Sequence, residues 1–192
     1  MRDKDEAASS GAEPLRLHLG CGKRHLPGFV HVDAVEYEHV DYVHVVERLP
    51  MFEDNSADLI YVCHVLEHFK RGEVGAVLQE WHRVLRPGGT LRTAVPDWEK
   101  LVLVYQQTHS LDLVIGPVFG RQDYLYNVHY NVFDFETLKR ELEGVGFADV
   151  RRYDWRETEH ADVDDYTQAY LPHMDKEHGL LISLNVECVK PA

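Results

Sequence analysis

Leu15, Leu17 and Leu19 alternate with polar residues and run into Gly20-Cys21-Gly22, a pattern that predicts a short strand ending in a turn whose backbone approaches something closely. A second apolar run closes on Asp33, and residues 40–46 form a third, with Leu49-Pro50 and the turn Glu53-Asp54-Asn55-Ser56 behind it. The nearly continuous apolar run over 57–63 has the pattern of a central strand covered on both faces. Between 73 and 85, the residues Val74, Val77, Leu78, Trp81, Val84 and Leu85 fall on one face of a helix, which Arg86-Pro87-Gly88-Gly89 stops.

Residues 90–95 predict the next strand, broken by Pro96, and Trp98, Leu101, Val102 and Tyr105 mark a helix after it. Residues 106–133 hold Gly, Pro and many aromatics without clean periodicity, and a loop region this long inside a compact domain is read as a substrate lid. Asp134 can cap a helix with Phe135, Leu138 and Leu142 on its apolar face, ending at Gly144 and Gly146. Strands follow at 148–153 and 180–189.

Alternating strands and helices imply an α/β fold with a doubly wound, mostly parallel sheet. The two late strands, separated by an acidic connection, suggest an antiparallel pair at one edge, so that the sheet carries an antiparallel edge strand. The connection from Gly20 to Gly28 is too short for a crossover helix. Fully extended it reaches roughly 30 Å, enough to run back along a strand of about 17 Å, which predicts a shortened first β-to-β connection.

At 192 residues the chain suits one domain, taken as residues 15–192, behind a polar leader over 1–14 without periodicity. The net charge of −13 argues against a surface for phosphate backbones, so no nucleic-acid partner is expected and a small-molecule substrate is favoured. No apolar run approaches the ~18 residues of a membrane span, and the leader lacks the apolar core of a signal peptide, which points to a cytoplasmic protein without a membrane partner. Cys21, Cys63 and Cys188 are odd in number and far apart, which fits free thiols, with Cys21 filling the turn as a small apolar residue. The acidic tail segment and the lid offer surface for a homodimer, but no interface pattern fixes the oligomeric state.

Glycines after a first parallel strand and a carboxylate after the second stand where open α/β sheets bind ligands, and Asp33 there can accept both hydroxyls of a ribose. A tight turn and a capping aspartate are the plainer alternative. The dinucleotide fingerprint fails, because position 25 is His25 rather than glycine and Asp33 follows Gly22 too closely.

His64-Val65-Leu66-Glu67-His68 matches the H-x-x-E-H pattern of a zinc hydrolase family. The pattern starts where the strand ends and no third-ligand motif follows, so no metal is assigned. His129, between Tyr126 and Tyr130 in the lid, is the candidate catalytic base for a substrate hydroxyl, with a structural hydrogen-bonding role as the alternative. Tyr124, Tyr126 and Tyr130 either wall a pocket, where cation–π attraction is worth roughly 0.5–2 kcal/mol each, or pack in the core. Glu157, Glu159, His160, Asp162, Asp164 and Asp165 lack the order of a calcium loop and read as a solvated connection.

Taken together, Leu17-His18-Leu19-Gly20-Cys21-Gly22, Val32-Asp33, Leu49-Pro50, Asp54-Asn55-Ser56-Ala57-Asp58, His64-Val65-Leu66-Glu67-His68 and Leu85-Arg86-Pro87-Gly88-Gly89 resemble class I S-adenosylmethionine-dependent methyltransferases, closest to the small type 11 group. Phe119 to Tyr124 and Tyr126 to Tyr130 resemble a smaller subgroup of predicted methyltransferases that also has the shortened first connection. The resemblance implies S-adenosylmethionine as cofactor. The backbone of Gly20, Cys21 and Gly22, with Lys23, would meet its methionine part and Asp33 its ribose; Leu49, Pro50 and Met51 would flank adenine, and His64 and Val65 would line the cofactor. Val45 stands where such enzymes often carry an acidic residue for the adenine amino group. His68, Tyr124, Tyr126, Asn127 and Tyr130 become candidate substrate contacts, and the implied reaction is methyl transfer to oxygen or nitrogen of a small molecule. The rivals are a cofactor-binding regulatory protein that catalyses nothing, and the zinc hydrolase.

Overall fold

The computed structural model describes residues 13–192, so the expected leader falls almost wholly outside the described residues. The strands are β1 (Arg16–Leu19), β2 (Val30–Asp33), β3 (Tyr42–Val43), β4 (Ala57–Cys63), β5 (Leu85–Pro96), β6 (Ala148–Arg152), β7 (Tyr170–Leu171), β8 (Leu180–Leu181) and β9 (Ser183–Val189). The α-helices are α1 (Val74–Val84), α2 (Trp98–Thr108), α3 (Ile115–Phe119) and α4 (Phe135–Val145). Seven strands form one sheet in the order β3-β2-β1-β4-β5-β9-β6, while β7 and β8 pair separately. All neighbours in the large sheet run parallel except β9, which is antiparallel to both β5 and β6. The antiparallel pair thus closes the predicted end of the sheet, with β9 the reversed strand and β6 outside it.

Four elements depart from the sequence pattern, one of them the strand expected over 180–189, which breaks at Ile182 into β8, paired with β7 outside the main sheet, and β9. The third apolar run supplies only Tyr42 and Val43 as strand, both exposed at the open edge where there is little to bury. β5 begins at Leu85 rather than Thr90, because the chain leaves α1 directly into register with β4, pairing Leu85 with Ala57 before an irregularity. The lid region contains the short helix α3.

One face of the sheet is covered by helices. Val77, Leu78 and Trp81 of α1 and Leu138 and Leu142 of α4 join Leu17, Leu19, Ile60 and Val62 in a single core. α4 starts where the Asp134 carboxylate accepts the Thr137 N–H across 2.7 Å and stops at Gly146, whose φ of +111° suits glycine.

The opposite face, near β1, β2 and β4, has no crossover helix among the described residues, as the short Gly20-to-Gly28 connection requires. Leu26, Phe29, Leu59 and Tyr61 form a smaller apolar cluster there, and the rings of His18 and His160 pack 5.1 Å and 4.2 Å from that of Tyr61. The acidic connection helps to cover this face, which corrects the expectation that it is wholly solvated. His160 and Asp165 are buried, the Tyr61 hydroxyl donates to the Asp165 carboxylate, and Glu159 pairs with Arg92 at 2.8 Å. Glu157, Asp162 and Asp164 do stay exposed. No helix in the described residues is long and apolar enough to cross a membrane.

Candidate functional site

The ends of β1 and β2 meet at the glycine turn. Gly20 donates its N–H to the Val32 carbonyl across 2.8 Å, and Gly20 and Gly22 adopt φ of +64° and +54°. A Cβ on Gly20 would overlap Val65 Cγ2, whereas one on Gly22 would meet nothing within 4 Å. Gly20 therefore lets two strand ends approach each other, and Gly22 leaves main chain open toward the crevice.

Asp33 is 9% exposed; its Oδ2 accepts the Gly22 N–H at 2.7 Å and its Oδ1 the Val35 N–H at 2.8 Å. An ionised carboxylate offers about four acceptor directions, so both oxygens keep one for a ligand hydroxyl. The open main chain at Gly22 and the spare acceptor sites of Asp33 fit a ribose-bearing ligand.

The other residues expected around such a ligand are placed unequally. Cys21 is buried, and its desolvation, with the Asp33 charge nearby, pushes the thiol up to about 12, so it is no nucleophile at neutral pH. Lys23 is exposed. The Leu49 side chain lies wholly in the core and its N–H donates to Glu80 at 2.7 Å, which leaves exposed Pro50 and part-buried Met51 to face outward. Val65 packs on Gly20.

In the 106–133 segment, Tyr124 is more than half exposed. Tyr166 lies near the end of β4, its ring 5.3 Å from that of His64 and 5.5 Å from the Arg24 guanidinium carbon.

At the end of β4 the chain turns through His64, at φ +54°, into a three-residue 3-10 turn over Leu66–His68. The H-x-x-E-H stretch is thus not a helix with two histidines one turn apart. His64 directs Nε2 to the Ser183 hydroxyl at 3.1 Å and has Nδ1 3.3 Å from Glu67 Oε1. His68 Nδ1 lies 3.1 Å from the Val128 carbonyl oxygen, and His129 Nδ1 2.8 Å from that of Pro117. The two rings meet edge to face at 4.7 Å.

Main-chain bonds fasten the 106–133 segment here. The Glu67 carbonyl accepts the N–H groups of Tyr130 and Asn131 at 2.8 and 3.3 Å, and the Asn131 amide donates to the Phe69 carbonyl. Burial lowers His129 below the ordinary histidine range, outweighing the Glu67 charge that raises it. Burial alone would raise the Glu67 carboxyl, but the His64 imidazole 3.3 Å away outweighs it and holds the group below the usual glutamate value.

Among the predicted substrate contacts, Tyr126 and Tyr130 are about half exposed, while Asn127 is used inside the lid, its amide donating to Asp123 at 2.6 Å. Two cavities flank the lid: one of about 470 Å³ beside Phe119 and Gln122, and one of about 260 Å³ between Arg71 and Phe133. Neither of these two is lined by Gly22, Asp33 or His129. Sequence reasoning gave no role to Glu67, although the motif contained it.

Residues 27–93 match the sequence profile of the family described as "Methyltransferase domain". An uncharacterized 37.1 kDa protein in transposon TN4556 of Streptomyces fradiae is 36% identical over 98 residues, which cover 46% of this chain and 26% of that protein. A demethylmenaquinone methyltransferase of Staphylococcus aureus (strain JH9) is 31% identical over 126 residues, 59% of this chain and 50% of that one. The chain thus spans half or less of the length of these relatives. In three dimensions it superposes on a SAM-dependent methyltransferase from Archaeoglobus fulgidus with a TM-score of 0.60 at 18% identity, covering 93% of this chain and 87% of that one.

Proposed function

We propose that this chain, which carries a class I methyltransferase domain, transfers the methyl group of S-adenosylmethionine to an oxygen or nitrogen of a small molecule. The observation that carries the reading is the pairing at the ends of neighbouring parallel strands of the open Gly22 main chain with the Asp33 carboxylate, which the Gly22 and Val35 N–H groups anchor while leaving acceptor sites spare. When bound, S-adenosylmethionine supplies a methyl group already activated on a sulfonium.

The chain's own contribution is orientation, water exclusion and proton handling. Asp33 holds the ribose through the acceptor sites left by Gly22 and Val35, and Pro50 and Met51 offer surface to the adenine. Tyr124, Tyr126 and Tyr130 shield the acceptor from water, and His68 stands beside it. His129 donates its Nδ1–H to the Pro117 carbonyl, which fixes the tautomer and leaves Nε2 bare to accept a proton from the substrate. Residues 15–192 act as one domain with 106–133 as the lid, and the −13 net charge favours small or cationic acceptors over nucleic acid.

Incubation with methyl-labelled S-adenosylmethionine and a panel of hydroxyl and amine metabolites tests the reading. A labelled product supports it. Cofactor uptake without product from any member would instead indicate a regulatory binder.

A further inference from the structure

The geometry points to a zinc-type divalent-cation site formed by Glu67, His68 and His129, which fastens the lid to the end of β4. One carboxylate oxygen and one nitrogen from each imidazole all lie within 4.8 Å of one another. Glu67 is fully buried, and among the described residues neither of its carboxylate oxygens has a hydrogen-bond partner. The 3.3 Å approach of His64 Nδ1 to Oε1 lacks hydrogen-bond alignment, so it leaves that carboxylate unsatisfied. A buried charged oxygen left so is costly, and a cation bound directly to it removes the penalty.

The two imidazoles are already set up as ligands. Backbone carbonyls of Val128 and Pro117 can only accept, so each ring carries a proton on Nδ1, and in its neutral form leaves the Nε2 lone pair for a cation. A carbonyl-oriented histidine of this kind is the usual outer support of a metal-binding imidazole. Two histidines and a glutamate suit zinc, and three protein ligands leave a fourth position for water or another oxygen. Zinc bonds of about 2.1 Å put ligand atoms about 3.4 Å apart, so the cluster, whose ligand atoms lie within 4.8 Å of one another, has to tighten on loading.

This ligand set is not that of the H-x-x-E-H hydrolases, because His64 is turned toward Ser183 and its place is taken by a lid residue some sixty positions later in the chain. The site does not depend on the methyl-transfer reading. One consequence does rest on it: with Nε2 on a cation, His129 cannot also accept a proton, so a loaded site holds the lid shut with its base idle.

Equilibrium dialysis of the full chain against Zn²⁺, without cofactor or acceptor, tests the site independently of any methylation. One zinc per chain is expected. His129→Ala, which leaves the core untouched, and isosteric Glu67→Gln should each weaken binding by at least the roughly 10–100-fold that loss of an outer partner alone costs. Tryptic cleavage at exposed Arg121 in the lid should slow when Zn²⁺ is added to the wild type but not to His129→Ala. Absence of stoichiometric zinc, or variants that bind as tightly as the wild type, would overturn the assignment.

Discussion

Val65 Cγ2 fills the space that a Cβ on Gly20 would need, so the end of β4 and the turn after β1 are locked together by the absence of a side chain. Alanine at position 20 would meet that methyl group and would also sit at φ +64°. The two effects together are expected to destabilise Gly20→Ala by about 2–4 kcal/mol. In urea denaturation, combining it with Val65→Ala should show a coupling of about 1–2 kcal/mol, because the overlap is gone while the backbone strain remains. Strict additivity of the two substitutions would contradict the packing described.

Stability should fall as the medium turns acid. Burial lowers His18, His31 and His160 below the ordinary histidine value, in His31 against the raising influence of Asp41. The folded state therefore keeps them neutral while the unfolded chain takes up protons below about pH 6.5. Their contribution is complete above that pH and shrinks as pH drops toward the folded values, by up to about 1.4 kcal/mol per histidine one unit below. Unfolding midpoints compared at pH 7.5 and 5.5 should show the loss, and His18→Phe should reduce it. A flat profile would place the charge elsewhere.

The lid turn can be disturbed without touching the core. Gly120 has φ +72°, and a Cβ there would overlap the Asn127 carbonyl, which already accepts the Gln122 N–H at 2.8 Å. Gly120→Ala should leave the thermal midpoint nearly unchanged while raising KM for the acceptor. A large fall in the midpoint with unaltered KM would mean that the lid belongs to the folding core instead.

Loss of the lid imidazole separates binding from turnover. His129→Ala is expected to bind S-adenosylhomocysteine like the wild type and to lose about 10²–10⁴-fold in kcat for an acceptor that must shed a proton. Undiminished kcat would remove His129 from the reaction.

Most of the sheet was legible because the short alternations at Leu17 and Leu19, the run over 57–63 and the helical face from Val74 to Val84 each obey one local period. The missing first helix followed from counting residues between Gly20 and Gly28. What covered the bare face did not follow, since His160 and Asp165 are buried by a long-range demand that nothing in their own charged segment announces. Within the site, the roles of Gly20 and Gly22 could not be told apart by sequence, as only the fold brings Val65 to one and leaves the other open. Glu67 went unassigned because the lid supplies His129 to it from far along the chain.

Titration calorimetry with S-adenosylhomocysteine on the wild type and on Asp33→Ala addresses the central claim most directly. One molecule should bind per wild-type chain. Removal of the carboxylate should weaken uptake roughly 10- to 150-fold, the equivalent of about 1.5–3 kcal/mol for hydrogen bonds to a charged acceptor. No uptake by the wild type, or equal affinity in the variant, would contradict an adenosyl site between Gly22 and Asp33.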